Sequence, residues 1–328
     1  MKENGKIWLM AIIMGVALPG LFFSVAEKVV KRPALPADVQ QTESKISSNV
    51  SAPFLTDVFI PVMDQNQLSN MELNTYLAGV LLGEMPTEFD VEALKAQAVV
   101  ARTYTLKRNT TGLKHPGGAV CTDSTCCQAY CSVDDFLNSG GLQEELDKVK
   151  EAILSTGQQV LTYEGALIEA TYFSCSGGRT EDARAVWGTE IPYLQAVDSP
   201  GEENAEHYTD SVTFSATEFA NRLGFETKTT PAQWLGRITY TAGGGVETIM
   251  INGKLYSGTQ LRQKLQLRST AFSIQIIGNT VQIVTRGYGH RVGMSQYGAE
   301  AMAVQGSTYQ QILKHYYPGT ELVAYLEN

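Results

Sequence analysis

The sequence predicts an α+β fold in which helices and β-hairpins form one domain behind a membrane anchor. Helical apolar patterns begin the folded part of the chain, and two strong hairpin signals, Asn252-Gly253 and Gly278-Asn279, lie in its second half. These segments follow one another in no regular βαβ order, which favours α+β over α/β. A nearly uninterrupted apolar run, residues 7–25, precedes all of them.

Residues 7–25 are predicted to be a transmembrane anchor, since a helix needs about 20 apolar residues to cross a bilayer. A cleaved signal peptide is the alternative, because Ser24-Val25-Ala26 is a small-x-small cleavage site. Both interpretations place the folded domain beyond the membrane. The predicted organisation is a short tail (residues 1–6), the anchor (7–25), a flexible linker rich in Pro, Ser and Gln (26–52) and the folded domain (53–328).

Three helices are predicted in the first half of the domain. The first has apolar side chains at helical spacing from Leu73 and ends before Pro86. A second, alanine-rich helix begins at a cap residue, Asp90, and runs to about Lys107. A third and weaker pattern covers residues 145–155.

Strands and short capped helices are predicted for the rest of the domain. The strands are residues 159–163, 168–173, 238–241, 246–251 and 272–285. The capping-box patterns, which predict the starts of short helices, are Ser215-x-x-Glu218, Ser257-x-x-Gln260 and Ser307-x-x-Gln310.

Composition and missing motifs exclude several classes of function. The 328-residue chain has a net charge of −9 and no block of Lys and Arg, whereas nucleic-acid binding needs a basic face. The sequence contains no G-x-x-x-x-G-K-[ST], no H-E-x-x-H and no G-x-S-x-G. A P-loop nucleotide site, a helical zinc-peptidase site and a nucleophile elbow are therefore not expected.

Glu84 is the first candidate for chemistry. It stands in Leu81-Leu82-Gly83-Glu84-Met85-Pro86, where the proline ends a helix and the neighbours are apolar. Desolvation at such a position would raise the pKa of the carboxyl, as a general acid requires. The alternative is an exposed glutamate at a frayed helix end.

A cysteine-rich loop is the second candidate. An odd number of cysteines with an adjacent pair fits a disulfide framework poorly, and thiolate and imidazole are the preferred ligands of zinc. Close spacing on a loop rich in Gly and Pro would let the chain wrap around an ion. A local disulfide beside an unrelated histidine is the alternative. The residues concerned are His115, Cys121, Cys126, Cys127 and Cys131, while Cys175 stands apart.

Two further segments combine glycines with polar and aromatic side chains. A predicted strand leads into the turn Ser176-Gly177-Gly178-Arg179, which presents several polar groups together, although its residues alone also fit a plain hairpin turn. The run over residues 287–299 reads G-Y-G-H-R-V-G-M-S-Q-Y-G-A. Glycines let the backbone approach a ligand closely. The density of glycine, aromatic and polar residues here is more typical of a binding site than of packing.

These four segments together resemble the stage II sporulation protein D family of lytic transglycosylases. The run over residues 287–299 is the most specific mark, and it is intact except that Arg291 stands where glycine is usual. The segment L-L-G-E-M-P, with the E-A-L-K-A-Q-A-V-V-A-R-T-Y that follows it, is nearly as specific. The resemblance covers the chain from about residue 53 to residue 317 and is weakest over residues 208–282.

The resemblance implies a domain that cuts peptidoglycan between N-acetylmuramic acid and N-acetylglucosamine and leaves a 1,6-anhydro end. The family's catalytic acid corresponds to Glu84, and a second residue tied to activity corresponds to Arg102. One carboxyl suffices, because it protonates the glycosidic oxygen and then takes the proton of the sugar's own 6-hydroxyl. The residues expected to line a glycan-binding groove are Tyr172, Ser176, Gly177, Gly178, Arg179, Gly289, His290, Ser295, Gln296 and Tyr297.

The resemblance also implies a structural zinc ion, because some clostridial members of the family carry one. The matching positions are His115, Cys121 and Cys127. Cys126 stands where such members often have histidine, so that either Cys126 or water is expected as the fourth ligand. Zinc at these residues would hold a loop beside the groove and would not perform the cleavage.

The biological setting that the resemblance implies is engulfment during endospore formation. The enzyme would be held in the mother-cell membrane by a single span, with its domain facing the septal wall. Its expected partners are glycan strands from which the stem peptides have been removed, together with the stage II sporulation proteins P and M.

Two other functions remain open from the sequence. A wall-binding module without catalytic activity would need the groove but not Glu84. A zinc amidase or peptidase would use the Cys/His loop for catalysis, although cysteine-rich zinc sites are more often structural.

Overall fold

The structure is a computed structural model that describes residues 58–64, 67–112, 114–118 and 120–325. All of them belong to one unit, Ala52–Asn328. The predicted tail, anchor and linker, residues 1–52, lie outside the described residues. Within the part that is described, no helix combines the length and the apolar character that crossing a bilayer requires.

Helices and strands are mixed along the chain, so the α+β prediction is confirmed. The described α-helices are α1 (Leu73–Glu84), α2 (Val91–Thr111), α3 (Val133–Asn138), α4 (Gln143–Ser155), α5 (Ala183–Trp187), α6 (Ala216–Leu223), α7 (Gly258–Leu265), α8 (Gln296–Val304) and α9 (Tyr309–Tyr316). The described strands are β1 (Phe59–Asp64), β2 (Gln67–Glu72), β3 (Val120–Cys121), β4 (Gln159–Tyr163), β5 (Ala166–Leu167), β6 (Tyr172–Phe173), β7 (Thr209–Ser215), β8 (Leu235–Tyr240), β9 (Val246–Ile251), β10 (Lys254–Ser257), β11 (Phe272–Ile277), β12 (Thr280–Arg286), β13 (Met294–Ser295) and β14 (Glu321–Ala324).

Helix α2 is the element around which the first half of the domain packs. It contacts α1, α4, α8, α9 and β4. Its residues are buried on every face over most of its length, as expected of a helix in the centre of a core. Ala96, Ala98 and Ala101 are fully buried, and their small side chains allow the neighbouring helices to approach closely. The alanine-rich composition of this segment thus determines its central position.

Small sheets surround α2 and bring distant motifs together. β1 pairs antiparallel with β2 and parallel with β3, and β4 lies between β5 and β14. β6 pairs in parallel with β13, with Tyr172 opposite Met294 and Phe173 opposite Ser295. This short ladder places the residues before the polar turn beside the glycine-rich run, although the two segments are far apart in the sequence.

A second apolar core lies in the segment from β7 to β12. Two three-stranded sheets, β7-β12-β11 and β8-β9-β10, enclose it together with α6 and α7. The buried ring of Trp234 stacks on that of Phe219, with 6.2 Å between the ring centroids. Both predicted hairpins are confirmed: Asn252-Gly253 joins β9 to β10, and Gly278-Asn279 joins β11 to β12.

Most other predicted elements are present, some with shifted ends. The strand predicted over residues 168–173 is wrong except for Tyr172–Phe173. The reason is a tight turn before it, in which the Thr171 amide donates to the carbonyl oxygen of Glu169 (2.9 Å). Ser215 and Ser257 cap α6 and α7 as predicted.

The helix start predicted at Ser307 is wrong by one position. The amide of Ser307 donates to the carbonyl oxygen of Met302 (3.0 Å), so Ser307 is engaged in the turn that ends α8. Thr308 is the N-cap of α9, because its hydroxyl accepts from the Gln311 amide and the Gln311 side chain accepts from the Thr308 amide. A capping box is therefore present, one residue later than the sequence pattern indicated.

This difference gives a test of the fold at single-residue resolution. Thr308→Ala should lower the free energy of unfolding by about 1 kcal/mol, because it removes the side-chain acceptor at the N-terminus of α9. Ser307→Ala is the matched control and should change it much less. Urea unfolding of the folded domain measures both, and equal losses would contradict the assignment of the cap.

Candidate active site

Glu84 is the last residue of α1, as its sequence context predicts. Met85 has extended backbone angles (φ −130°, ψ 142°), which the following proline favours in the residue before it. The helix therefore ends with the Glu84 side chain on its final turn. Glu84 is half-buried and hydrogen-bonded, so the alternative of an exposed, frayed glutamate does not hold.

The backbone of Ala129 and Tyr130 passes close to Gly83, and this approach allows the shortest hydrogen bond of the Glu84 carboxyl. A methyl group on Gly83 would lie 2.8 Å from the backbone nitrogen of Tyr130, so a side chain here would push the neighbouring segment away. Because Gly83 has none, the segment passes against the end of α1. The amide of Ala129 consequently donates to Oε1 of Glu84 at 2.6 Å.

Two side chains complete the hydrogen-bonding of Glu84. The Tyr172 hydroxyl donates to Oε1 at 3.0 Å, and Nε2 of Gln296 lies 3.4 Å from Oε2. Burial raises the pKa of the Glu84 carboxyl above its usual range, and the three donors oppose this effect by stabilising the carboxylate. The net direction is upward, which favours a protonated carboxyl that can act as an acid.

Tyr172 stands between two acceptors. Its hydroxyl oxygen is 3.0 Å from Oε1 of Glu84 and 3.1 Å from Oε1 of Gln128, and it has one proton to donate. Gln128 is fixed in turn, because its Nε2 donates to the Tyr76 hydroxyl (3.3 Å) and the Thr105 hydroxyl (3.1 Å). Tyr172 can thus donate to an ionised Glu84, and to Gln128 when Glu84 is protonated. This geometry makes Tyr172 a residue that positions the acid.

Glu84 lies in the wall of a cavity of about 400 Å³. Among the described residues that line the cavity, Glu84 is the sole carboxylate, and the two cationic side chains are Arg108 and Lys114. The remaining lining residues are Tyr104, Ser124, Thr125, Cys126, Cys127, Ala170, Thr171, Tyr172, Phe173, Ser174, Tyr288, Gly289 and His290. The structure therefore brings the predicted residues Glu84, Tyr172, Gly289 and His290 to one site.

His290 is an uncharged member of this wall. Burial lowers its pKa to about 4, and the nearby charge of Arg262 acts in the same direction. Its Nδ1 accepts a hydrogen bond from the Val292 amide (3.1 Å). The imidazole ring lies 5.6 Å from the ring of Phe173 and 5.5 Å from that of Trp187, between centroids. Trp187, with 44% of its surface exposed, is an aromatic contact that no sequence motif indicated.

The neighbours of Gln296 in the glycine-rich run face elsewhere. Ser295 is fully buried and is the N-cap of α8, because its hydroxyl accepts from the Gly298 amide (3.2 Å). Tyr297 packs edge-on against Phe89, with 5.1 Å between the ring centroids, and lines a different cavity. Of these three predicted binding residues, Gln296 is the one that contacts Glu84.

The polar turn lines a second cavity, of about 620 Å³, and not the cavity of Glu84. Gly177 and Gly178 have φ values of 75° and 107°, which glycine adopts readily. The Ser176 hydroxyl is buried and donates to Glu202 (2.9 Å). Arg179 forms an ion pair with Asp198. The turn therefore lies at this separate cavity.

Arg291, which replaces the usual glycine of the family pattern, is buried behind this turn. Its backbone has a φ of 67°, a conformation that explains the preference for glycine at this position. Its guanidinium is 2% exposed and donates to the carbonyl oxygens of Ser176, Arg179 and Gly243 at 2.7–2.8 Å. It also lies 3.8 Å from Glu181, whose 1% exposure keeps that carboxylate away from any ligand.

Arg102 is buried away from the Glu84 cavity. Its side chain is 1% exposed, and its guanidinium donates to the carbonyl oxygens of Ile153 (3.2 Å) and Gln159 (3.1 Å) and to the Thr156 hydroxyl (3.1 Å). These bonds join α2 to the end of α4 and the start of β4. Arg102 thus holds elements of the core together and has no surface to offer to a glycan in this structure.

The Cys/His loop forms a compact donor cluster beside the Glu84 cavity. The ligand atoms of His115, Cys121, Cys126 and Cys127 all lie within 4.8 Å of one another. Nε2 of His115 is 3.4 Å from Sγ of Cys126 and 3.6 Å from Sγ of Cys127. Tetrahedral zinc with ordinary bond lengths separates a sulfur and a nitrogen ligand by about 3.6 Å. The donor set and its spacing therefore fit zinc, and Cys126 lies where a fourth ligand would be needed.

All five cysteines are free thiols in this structure, so the alternative of a local disulfide is not observed. Cys131 lies outside the cluster and donates to the carbonyl oxygen of Ser132 (3.7 Å). Cys175 is buried and donates to Oε2 of Glu202 (3.1 Å). The four clustered donors are the ones that the described residues offer to a metal.

Known proteins match this chain over segments that form the site. A family model described as "Stage II sporulation protein" matches residues 63–163, which contain Glu84, Arg102 and the Cys/His loop. The stage II sporulation protein D of Bacillus subtilis (strain 168) is 41% identical over 272 residues, which cover 81% of this chain and 79% of that protein. The protein of the same name from Bacillus amyloliquefaciens is 40% identical over 273 residues, covering 81% and 78%.

A more distant relative is the amidase enhancer of Bacillus subtilis (strain 168). It is 30% identical over 302 residues, which cover 76% of this chain and 40% of that protein. These matches identify the chain as a sporulation protein. The chain belongs to the Stage II sporulation protein D family.

The hydrogen bond between Tyr172 and Glu84 can be tested without any activity measurement. Tyr172→Phe should raise the pKa of Glu84 further, because it removes a donor that stabilises the carboxylate while burial remains. Tyr256→Phe is the control, since it also removes a buried hydroxyl but in the second core. Carbon NMR titration of the Glu84 carboxyl measures both, and an unchanged or lowered pKa in Tyr172→Phe would disprove the contact.

Proposed function

We propose that this domain is a lytic transglycosylase that cleaves peptidoglycan strands between N-acetylmuramic acid and N-acetylglucosamine. The observation that carries the proposal is the environment of Glu84, a half-buried carboxyl with a raised pKa in the wall of a cavity. Its three hydrogen bonds fix the orientation of the acid before a substrate arrives. The similarity to an amidase enhancer supports a role connected with the cell wall.

In the first half of the reaction, protonated Glu84 donates its proton to the glycosidic oxygen. The bond from that oxygen to the anomeric carbon of the muramic acid breaks, and the N-acetylglucosamine leaves with a new hydroxyl. The 6-hydroxyl of the same muramic acid forms a bond to the anomeric carbon in its place. The ionised Glu84 then takes the proton of that hydroxyl, so that the product is a 1,6-anhydro ring and the acid is regenerated.

The carboxylate content of the cavity supports this route over hydrolysis. Most glycosidases use two carboxylates, one as an acid and one to activate water or form a covalent intermediate. Within the described lining of this cavity, Glu84 has no carboxylate partner. A reaction in which the sugar supplies its own nucleophile needs one carboxyl alone, which corresponds to what the cavity contains.

The neighbours of Glu84 have supporting roles in this proposal. Ala129 and Gln296 hold the ionised form, and Tyr172 can donate to it during the second proton transfer. Arg102 acts through the packing of α2 against α4 and β4, as a positioning residue. Burial lowers the pKa of the Arg102 guanidinium to about 10, and the group remains protonated at neutral pH.

The zinc site belongs to the same proposal. His115, Cys121, Cys126 and Cys127 would hold the ion, and its chemistry would be structural, because four protein ligands leave no open position. Gln128 and Ala129 follow this cluster directly in the chain, and both take part in the hydrogen bonds around Glu84. An ion that fixes the loop would therefore also fix Ala129, which donates to Glu84, and Gln128, which accepts from Tyr172.

The cellular part of the proposal rests on the family relationship. Residues 7–25 anchor the protein in the mother-cell membrane, and residues 26–52 connect the anchor to a domain that faces the septal wall. The substrate strands have lost their stem peptides, and the stage II sporulation proteins P and M are the partners. Engulfment during endospore formation is the process that this placement serves.

The decisive test of the catalytic role is Glu84→Gln, which keeps the shape of the side chain but cannot donate the proton. General acid–base catalysis typically contributes about 10²–10⁴-fold, so the cleavage rate should fall by at least ~100-fold while the domain stays folded. Glu88→Gln is the control, because Glu88 is exposed beyond Pro86 and should tolerate the change. Rates are measured on purified, peptide-stripped strands.

The products identify the reaction. Anhydro-muramyl ends in the mass spectrum support the proposal, whereas reducing muramic acid ends would make the protein a hydrolase. New amino termini without glycan cleavage would indicate an amidase or peptidase. Strand binding with no cleavage by the parent protein would indicate a wall-binding module. A Glu84→Gln protein that cleaves at the parent rate would remove Glu84 from the mechanism.

The metal proposal has its own measurement. Domain purified without chelators should contain about one zinc ion per chain, as a four-ligand structural site requires. Cys126→Ser should lower both the zinc content and the thermal stability, because bound structural zinc contributes to folding. Cys131→Ser, a thiol outside the cluster, is the matched control. Fresh protein without zinc would refute the site, and full zinc retention in Cys126→Ser would show that water is the fourth ligand.

A further inference from the structure

The lining of the Glu84 cavity contains two cationic side chains, although the chain as a whole has a net charge of −9. Arg108 and Lys114 both line the cavity, and Glu84 is the one carboxylate among its described lining residues. Because burial raises the pKa of Glu84, its charge does not offset theirs when it acts as an acid. A cavity with this lining favours a ligand that carries negative charge.

Arg108 is fixed in place with part of its hydrogen-bonding capacity unused. Its Nη2 donates to Glu169 at 2.6 Å, and the guanidinium lies 5.0 Å above the centre of the Tyr104 ring. Glu169 is shared with Lys107, at 3.5 Å, so one carboxylate serves two cations. In the described part of the chain, Nε of Arg108 is buried without an acceptor. An oriented guanidinium of this kind is suited to a carboxylate.

Lys114 contributes a second positive charge to the lining of the cavity. It is exposed on the loop that precedes the Cys/His cluster, and its ammonium forms neither a hydrogen bond nor an ion pair within the described residues. The carboxylate of Asp123 is near enough to interact with the charge of Lys114, but it accepts its hydrogen bond from the Thr125 hydroxyl. The ammonium is therefore available to a ligand in the cavity.

The chemistry of the proposed substrate supplies such a ligand. Every muramic acid carries a lactyl group, whose carboxyl is joined as a neutral amide to the stem peptide when the peptide is present. Removal of the peptide leaves a free lactyl carboxylate on the sugar whose glycosidic bond is cleaved. That carboxylate would enter the cavity together with the bond that Glu84 protonates.

We propose that Arg108 and Lys114 form a subsite for the lactyl carboxylate of a peptide-free muramic acid. The subsite rests on the proposed function and gives it a physical basis for substrate choice. A strand with stem peptides presents a neutral amide at this point and offers the two cations no carboxylate.

The test measures binding, so that it does not depend on cleavage. Three matched glycan strands are compared: one with free lactyl carboxylates, one in which these are converted to primary amides, and one with stem peptides. Dissociation constants are determined for the full domain in the Glu84→Gln background. The same background then receives Lys114→Gln, Arg108→Gln or, as the matched control, Lys228→Gln, whose lysine is 80% exposed and outside the cavity lining.

The free-carboxylate strand should bind about 10-fold more tightly than the amidated strand. This factor is at the lower end of what a charge-assisted hydrogen bond contributes, because Lys114 is exposed to solvent. Lys114→Gln should remove most of this preference, and Lys228→Gln should keep it. Lys114→Gln is the decisive variant, since Arg108→Gln also leaves Glu169 with one partner fewer.

Equal affinity for the free and amidated strands would overturn the subsite, and so would a preference that survives Lys114→Gln. Tight binding of strands with stem peptides would overturn it as well. The proposed function is judged separately by the products of the protein with Glu84 intact. Failure to form anhydro-muramyl ends would end the transglycosylase proposal, whereas loss of the carboxylate preference alone would leave it standing.

Discussion

The hydrogen bond from the Ala129 amide to Glu84 is the contact on which the rest of the site depends. It exists because Gly79 and Gly83 leave one side of α1 without side chains, and a methyl group at either position would collide with Tyr130. Tyr130 occupies that space, and the backbone of Ala129 and Tyr130 packs against the C-terminal end of α1. The Glu84 carboxyl is thereby fixed by a backbone donor, which cannot rotate away as a side chain can.

The same packing joins the acid to the Cys/His loop. Three successive residues make the connection. Cys127 belongs to the donor cluster, Gln128 accepts a hydrogen bond from Tyr172, and the amide of Ala129 donates to Glu84. A displacement of the loop would therefore disturb the hydrogen bonds of the acid as well as the cluster. A structural ion bound by the cluster would therefore also stabilise the hydrogen bonds of Glu84.

Two buried arginines, Arg291 and Arg102, hold backbone segments in place through hydrogen bonds to carbonyl oxygens. A left-handed backbone at a residue other than glycine costs about 1–2 kcal/mol. Arg291 offsets this cost with hydrogen bonds to three carbonyl oxygens, which hold the polar turn beside the second cavity. Arg102 likewise satisfies carbonyl oxygens inside the core. Family resemblance indicated that position 102 matters, and its contacts point to packing as the reason.

The sequence by itself determined the features that have local signals. The end of α1, the start of α2, both hairpin turns and the positions of Glu84 and of the Cys/His loop all follow from neighbouring residues. Tertiary structure alone decided which side chains meet at Glu84, because the parallel register of β6 and β13 sets their direction and no local pattern encodes that register. It brought Tyr172 and Gln296 to the acid, turned Ser295 into a helix cap, and placed the polar turn at a separate cavity.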